Sequence, residues 1–213
     1  MKVRNWMTPD PITVGPETLL MEARELMDDN RIRRLPVVDK KGRLVGMVTL
    51  RRILEAMPSE ATSLSVQERN YLLSRLRVGD IMQKDPVFVS PEDFVMDVIR
   101  LGQERGIGAF PVVDNGRLVG IATETEIFNA TMHVIGARAG QSVVVLEGVD
   151  IQNDLGAMSR IARIVESHGA PVEAIFSLPH RASQGHRVYI RAKTEQAQGL
   201  KRDLAAAGYK VEQ

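Results

Sequence analysis

The chain has 213 residues, 44% of them apolar, and a formal net charge of +1 with acids and bases interspersed. That length suits one or two ordinary domains or three small ones, and the apolar share excludes a disordered polymer. The near-neutral balance argues against a dedicated nucleic-acid binder, which needs a concentrated basic face, and the absence of cysteine excludes disulfides, thiolate nucleophiles and cysteine-ligated metals and fits a reducing compartment. Met1 to Trp6 carries no apolar signal core, and no stretch approaches the roughly 20 apolar residues of a membrane helix. A soluble, cytoplasmic protein without membrane contact is the default expectation.

Val3-Arg4-Asn5-Trp6-Met7 leads through Asp10-Pro11 into a short β-prone run, Ile12-Thr13-Val14. Gly15-Pro16-Glu17 predicts a helix opening, with proline at the first helical position and acid in the first turn. Leu19, Leu20, Ala23, Leu26 and Met27 then follow helical spacing. Two strands come next, Pro36-Val37-Val38-Asp39 and Leu44-Val45-Gly46-Met47-Val48, around the turn Lys40-Lys41-Gly42-Arg43. A second helix is expected after Thr49. Ser59 to Ser63 reads as a loop, and Ser65-Val66-Gln67-Glu68 as a capping box opening a helix through Tyr71, Leu72, Leu73 and Leu76.

The order then repeats. Val78-Gly79-Asp80-Ile81-Met82 and Asp85-Pro86-Val87-Phe88-Val89 echo the N-terminus, and Ser90-Pro91-Glu92 opens a helix through Phe94, Val95, Val98 and Ile99. Phe110-Pro111-Val112-Val113-Asp114 echoes Leu35 to Asp39, and Gly116 to Thr123 echoes Gly42 to Thr49, with Asn115-Gly116 a strong hairpin dipeptide. Pro36 and Pro111 stand 75 residues apart, as do Pro11 and Pro86. So long a period marks a duplicated small domain rather than a solenoid. Each unit reads β-α-β-β-α, too small to bury its apolar faces alone, and the interface of two like units favours a ligand cleft.

Thr49 and Thr123 each end a strand and begin a helix, where a hydroxyl, free N–H groups and the helix dipole together suit a phosphate. The residue three further on lies near the same mouth. Glu126 can accept from sugar hydroxyls, whereas Arg52 has no acceptor and suits phosphate. Thr123-Glu124-Thr125-Glu126 is equally a capping box needing no ligand. Arg31, Arg33 and Arg34 stand where the second copy has Gly106, Gly108 and Ala109. Either they face a cleft and neutralise phosphates, or they form a solvated helix end; the sequence leaves both open.

Met-x-x-x-Pro, then hydrophobic-Pro-Val-Val-Asp, then Gly-x-x-Thr at a strand-to-helix junction, all occurring twice, resembles a pair of CBS domains (a Bateman module). The resemblance covers a first domain at 1–58, a linker with a helix at 59–76 and a second domain at 77–134. It implies an α+β fold with two pseudo-symmetric units, binding an adenosine-containing ligand (AMP, ADP, ATP or similar) in clefts between the sheets. In that family a threonine contacts phosphate and an aspartate three residues later holds ribose. Thr49 and Thr123 match the threonine, while Arg52 and Glu126 depart from the aspartate. Base contacts are implied around Ile12 and Thr13 and around Val87 and Phe88, beside Leu35, Phe110 and Pro111, with Arg34 also in the nucleotide set.

After Gly140 the pattern changes. Val143 to Val149 is a strand, Asn153-Asp154-Leu155-Gly156 a turn, and Leu155 to Val165 an amphipathic helix. Val172 to Leu178 and Val188 to Ala192 read as strands, Glu195 to Ala207 as a helix stopped by Gly208, and Tyr209-Lys210-Val211 as a last strand. The order β-α-β-β-α-β is that of a ferredoxin-like sandwich. Residues 141–213 resemble an ACT domain, which implies an amino-acid effector at Asn153, Asp154 and Gly156, although a plain structural turn fits the same residues.

Two CBS domains and an ACT domain together resemble the protein family named for acetoin utilisation. The implied function is a non-catalytic sensor, homodimeric, modulating an unidentified partner protein, with an adenine nucleotide as regulatory ligand and neither a covalent cofactor nor a metal. A scaffold whose clefts bind nothing is the alternative. Catalysis would have to rest on His133, His168, His180 or His186, none of which has metal-ligand spacing or a nucleophile nearby.

Overall fold

A computed structural model describes residues 1–57, 65, 67–68, 71, 74–136, 141–169, 174–179 and 185–212. The chain divides into two compact units, Met1–Ala130 and Thr131–Gln213.

In the first unit two copies of one motif exchange their N-terminal segments. The chain runs through a 3-10 turn (Val3–Asn5), β1 (Thr8–Pro9), α1 (Leu20–Asp29), β2 (Arg34–Val38), β3 (Leu44–Thr49) and α2 (Leu50–Ala56). The second copy repeats this as α3 (Val78–Ile81), β4 (Gln83–Lys84), α4 (Val95–Arg105), β5 (Ala109–Asp114), β6 (Arg117–Thr123) and α5 (Glu124–Val134). Each sheet takes its third strand from the other copy: β1 pairs with β6 through Thr8↔Ile121, and β4 with β3 through Gly46↔Lys84. The cores exchange in the same way. Val3 packs with Val89, Val98, Phe110 and Val112, and Val78 with Val14, Leu20, Leu35 and Val37. Neither copy closes its own core, which is the physical sense of the duplication.

The crossing explains the repeated Gly-x-x-Thr glycine. A β-carbon on Gly46 would collide with the Met82 sulfur, and one on Gly120 with that of Met7; the Gln83 and Thr8 carbonyls lie 3.1 Å away. The Met-x-x-x-Pro methionine of one copy thus packs onto the glycine of the other.

Two details differ from the sequence reading. Ile12-Thr13-Val14 is no ladder strand: Val14 makes a single parallel bridge to Val37, as Val89 does to Val112, and a turn at Gly15–Thr18 then bends the chain away. Pro16 lies in that turn, where Gly15 N–H donates to Thr18 Oγ1 at 3.2 Å. Helix α1 therefore begins at Leu20, with Glu22 accepting from Leu19 N–H at 3.3 Å. The second copy behaves alike, Asp93 holding Ser90 N–H at 2.8 Å before α4 starts at Val95. Asn115 and Gly116, at φ 47° and 78°, form the expected tight turn between Asp114 and Arg117.

The Ser65 capping box is present, its hydroxyl accepting from Glu68 N–H at 3.2 Å; much of the expected linker helix lies outside the described residues.

The second unit orders β7 (Gln141–Val149), α6 (Ala157–Ser167), β8 (Ala174–Pro179), β9 (His186–Lys193), α7 (Thr194–Ala206) and β10 (Lys210–Val211). Its antiparallel sheet runs β10-β7-β9-β8. Val188, Ile190 and Ala192 alternate inward on β9 and meet Ile161, Val165, Leu200 and Leu204 of the helices. Helix α6 starts two residues after the predicted Leu155, because Asp154 accepts from the Gly156 and Ala157 N–H groups and holds a turn there. Val172, Glu173 and His180 lie outside the described residues.

Candidate functional site

Within the first unit a cleft of about 520 Å³ opens where β1, the start of β2 and the start of α5 meet. Its apolar surface comes from Pro11, Ile12, Ile32, Pro36 and Ile121, and its polar groups from Thr8, Thr123, Thr125, the carboxylates Glu124 and Glu126 and the arginines 31, 33 and 34. Volume and lining are those of a small-molecule site.

Strand alternation decides which side chains reach it. On β2, Leu35 and Val37 point into the core, so Arg34 and Pro36 face the other way and line the cleft. Thr123 ends β6, and its hydroxyl and N–H both donate to Glu126, the N–H at 2.9 Å. Thr8 donates to the other Glu126 oxygen at 3.1 Å, and Thr125 N–H reaches Thr123 Oγ1 at 3.3 Å. The capping box and the cleft wall are therefore the same residues. Partial burial pushes the Glu126 carboxyl up, but the hydrogen bonds from Thr123 and Thr8 outweigh it and hold the group below its ordinary value. It is a carboxylate aligned by two hydroxyls.

The three arginines line the cleft, Arg31 and Arg33 exposed and Arg34 half-buried. Arg31 sits at φ 54°, in the left-handed region, where its counterpart Gly106 has φ 64°. Arg34 Nη1 reaches the Gly108 carbonyl at 3.4 Å. Gly108 takes the place of Arg33 in the second copy, and the Glu124 carboxylate and Arg34 Nη2 both crowd the position of its missing β-carbon.

Of the residues singled out from sequence, Ile12, Arg34, Thr123 and Glu126 come together here, while Thr13, half-buried, does not line the cleft. Leu35 and Phe110 are 0% exposed in the two cores and do not line this cleft. Pro111 is buried as well, Val87 packs against the second core, and Phe88 is exposed away from this cleft. Thr49 and Arg52 lie elsewhere. Thr49 accepts from Arg52 N–H at 3.3 Å as the α2 cap, and Arg52 Nη1 donates to the Ile81 carbonyl at 2.9 Å.

Thr8 was missed by sequence reasoning. Its signal was its place just after Met7 in the repeated motif, but only the exchange of β1 into the other sheet brings it to Glu126.

In the second unit Asn153, Asp154 and Gly156 share one turn. Asn153 donates to Asp150 through its N–H at 3.0 Å and its side chain at 2.9 Å. Asp154 accepts from Gly156 N–H at 3.2 Å and pairs with Arg160. The polar side chains there are engaged within the turn.

Among the described residues there is no group of three or more His, Asp or Glu side chains able to hold a metal ion, and no helix long and apolar enough to cross a membrane.

The model of the CBS domain matches residues 3–59 and 78–133. A CBS domain-containing protein of Dictyostelium discoideum is 30% identical over 134 residues, 62% of this chain and 92% of its own. Among solved structures, a protein named for acetoin utilization (AcuB) from Vibrio cholerae is 29% identical with a TM-score of 0.54, over 64% of this chain and 93% of that one. CBSX2, a CBS-pair protein of Arabidopsis thaliana, has been solved in complex with AMP; it is 31% identical with a TM-score of 0.51, over 62% and 96% of the two chains. The CBS pair of protein MJ0100, solved with 5-methylthioadenosine and S-adenosyl-L-methionine, is 25% identical with a TM-score of 0.52, over 65% and 98%. Other curated relatives are longer proteins matched in part; the chain spans 26% of the inosine-5'-monophosphate dehydrogenase of Korarchaeum cryptofilum. With both copies matched and the strands exchanged between them, this chain belongs to the CBS domain family as a tandem pair followed by a further α+β unit.

Proposed function

We propose that the chain is a non-catalytic sensor that binds an adenosine-containing ligand in the cleft of its first unit and passes the binding on to a partner protein. The observation that carries this is the meeting, in one cleft, of the aligned Glu126 carboxylate, a second carboxylate at Glu124, two threonines at a helix start and three arginines. Glu126 accepts from the ribose hydroxyls, Thr123 and Thr125 with the first turn of α5 take a phosphate, the arginines neutralise charge, and Ile12 offers an apolar surface to the base. The AMP complex of CBSX2 and the adenosine ligands of the MJ0100 pair support the ligand class. Regulation follows only where the ligand prefers one of two arrangements of the pair.

A scaffold that binds nothing is the second reading, favoured by the closed Thr123–Glu126 capping box, which satisfies these groups without a ligand. Calorimetric titration with AMP, ADP and ATP separates the two. Saturable heat that weakens at least about tenfold in Thr123→Val/Glu126→Ala is expected, because charge-assisted contacts are lost. Heat unchanged in the double variant would remove the proposed site, and no heat with the wild type would favour the scaffold.

A further inference from the structure

The crossing of β1 and β4 rests on sulfur. Met7 and Met82 stand at equivalent places in the two copies, each just before the two-residue strand that joins the other copy's sheet. Each sulfur fills the gap left by a missing β-carbon, that of Gly120 for Met7 and that of Gly46 for Met82. Both side chains are half-buried, packed against a core yet partly reached by solvent.

The chain has no cysteine, so the thioether is the sulfur that an oxidant meets. A peroxide oxidises it by transferring one oxygen atom: the O–O bond breaks, an S–O bond forms, sulfur loses two electrons, and the peroxide leaves as water or an alcohol. The sulfoxide is polar and larger than the thioether. At Met7 and Met82 it has to fit against a glycine backbone and beside the carbonyl of Thr8 or Gln83, whose oxygen lies 3.1 Å from the missing β-carbon. Oxidation therefore brings a second acceptor oxygen beside a carbonyl and overfills the gap. β1 and β4 have two ladder residues each, so the loss is not spread along a long strand.

We infer that Met7 and Met82 are a pair of modification sites, at which peroxide oxidation to the sulfoxide loosens the exchanged strands. At Met7 the same event frees Thr8, the residue that β1 brings to Glu126. Met96 supplies the contrast. It is 67% exposed on α4 and takes no part in the crossing, so its oxidation leaves the strands in place. No ligand in the cleft is required for any of this.

The test is graded hydrogen peroxide on the full chain, in the wild type and in Met7→Leu/Met82→Leu. Peptide mass spectrometry reads the oxidation of each methionine, and thermal unfolding reads the fold. Leucine nearly conserves volume and cannot take up the oxygen, so the double variant is expected to fold. Met96 should oxidise first, without a change in melting temperature. Oxidation of Met7 and Met82 should then lower the melting temperature by about 5 °C or more. Methionine sulfoxide reductase should restore it, and the double variant should show no such fall. Met7 and Met82 left unmodified by peroxide in large excess, or both oxidised without a fall, overturns the inference from the wild type alone. An equal fall in the double variant overturns it as well.

Discussion

Glu126 shows how one side chain can serve structure and ligand together. Its carboxylate caps α5 through Thr123 and anchors β1 through Thr8, two bonds that draw on its charge. Its folded pKa lies below the ordinary value of 4.5, so ionisation stabilises the fold above that value, and the contribution is lost as pH falls through the depressed folded value. Urea denaturation of the wild type and Glu126→Gln should therefore show a gap at neutral pH that shrinks below about pH 4.5. A gap constant with pH would mean that the charge of Glu126 plays no part in the fold. The role of Glu126 was legible in sequence because capping boxes are local. Thr8 was not, since its partner lies 118 residues away. Leu35 and Phe110 lie on the core faces of their strands, and the alternation of Leu35 and Val37 with Arg34 and Pro36 already held that placement.

At the scale of elements the fold is governed by exchange. The helices and hairpins of each copy were legible from period and turn chemistry, as Asn115-Gly116 shows. What the sequence did not reveal was where the short N-terminal strands go. β1 and β4 are two residues each, below the length at which alternation gives a signal, and their pairing is set by long-range packing of methionine on glycine. The starts of α1 and α4 were placed too early, since proline suits a turn as well as a first helical position. Gly120→Ala should test the exchange directly. The added carbon strikes Met7 and crowds the Thr8 carbonyl, so a loss of about 1–3 kcal/mol is expected from denaturant unfolding. Unchanged stability would show that β1 is not packed on β6 as described.

Over the whole molecule, duplication supplies the frame and divergence sets the two copies apart. Two copies gave the chance of two like clefts, but the copies differ at the cleft-lining positions. Arginines stand against Gly106, Gly108 and Ala109, and Glu126 stands against Arg52, which is turned to the Ile81 carbonyl. The first unit therefore presents a cleft with two carboxylates, Glu124 and Glu126, beside a cluster of cations. The second unit has a core of its own, from Val144 to Leu204, and its β-α-β-β-α-β order was readable because each element is long enough to show its period. Whether a nucleotide occupies the Thr123–Glu126 cleft is decided by a crystal structure of the protein grown with ATP. Ribose is expected at Glu126, phosphates between Thr125 and the arginines 31 and 33, and the base against Ile12. ATP bound beside Thr49 and Arg52 instead, with the Thr123–Glu126 cleft vacant, would contradict that placement.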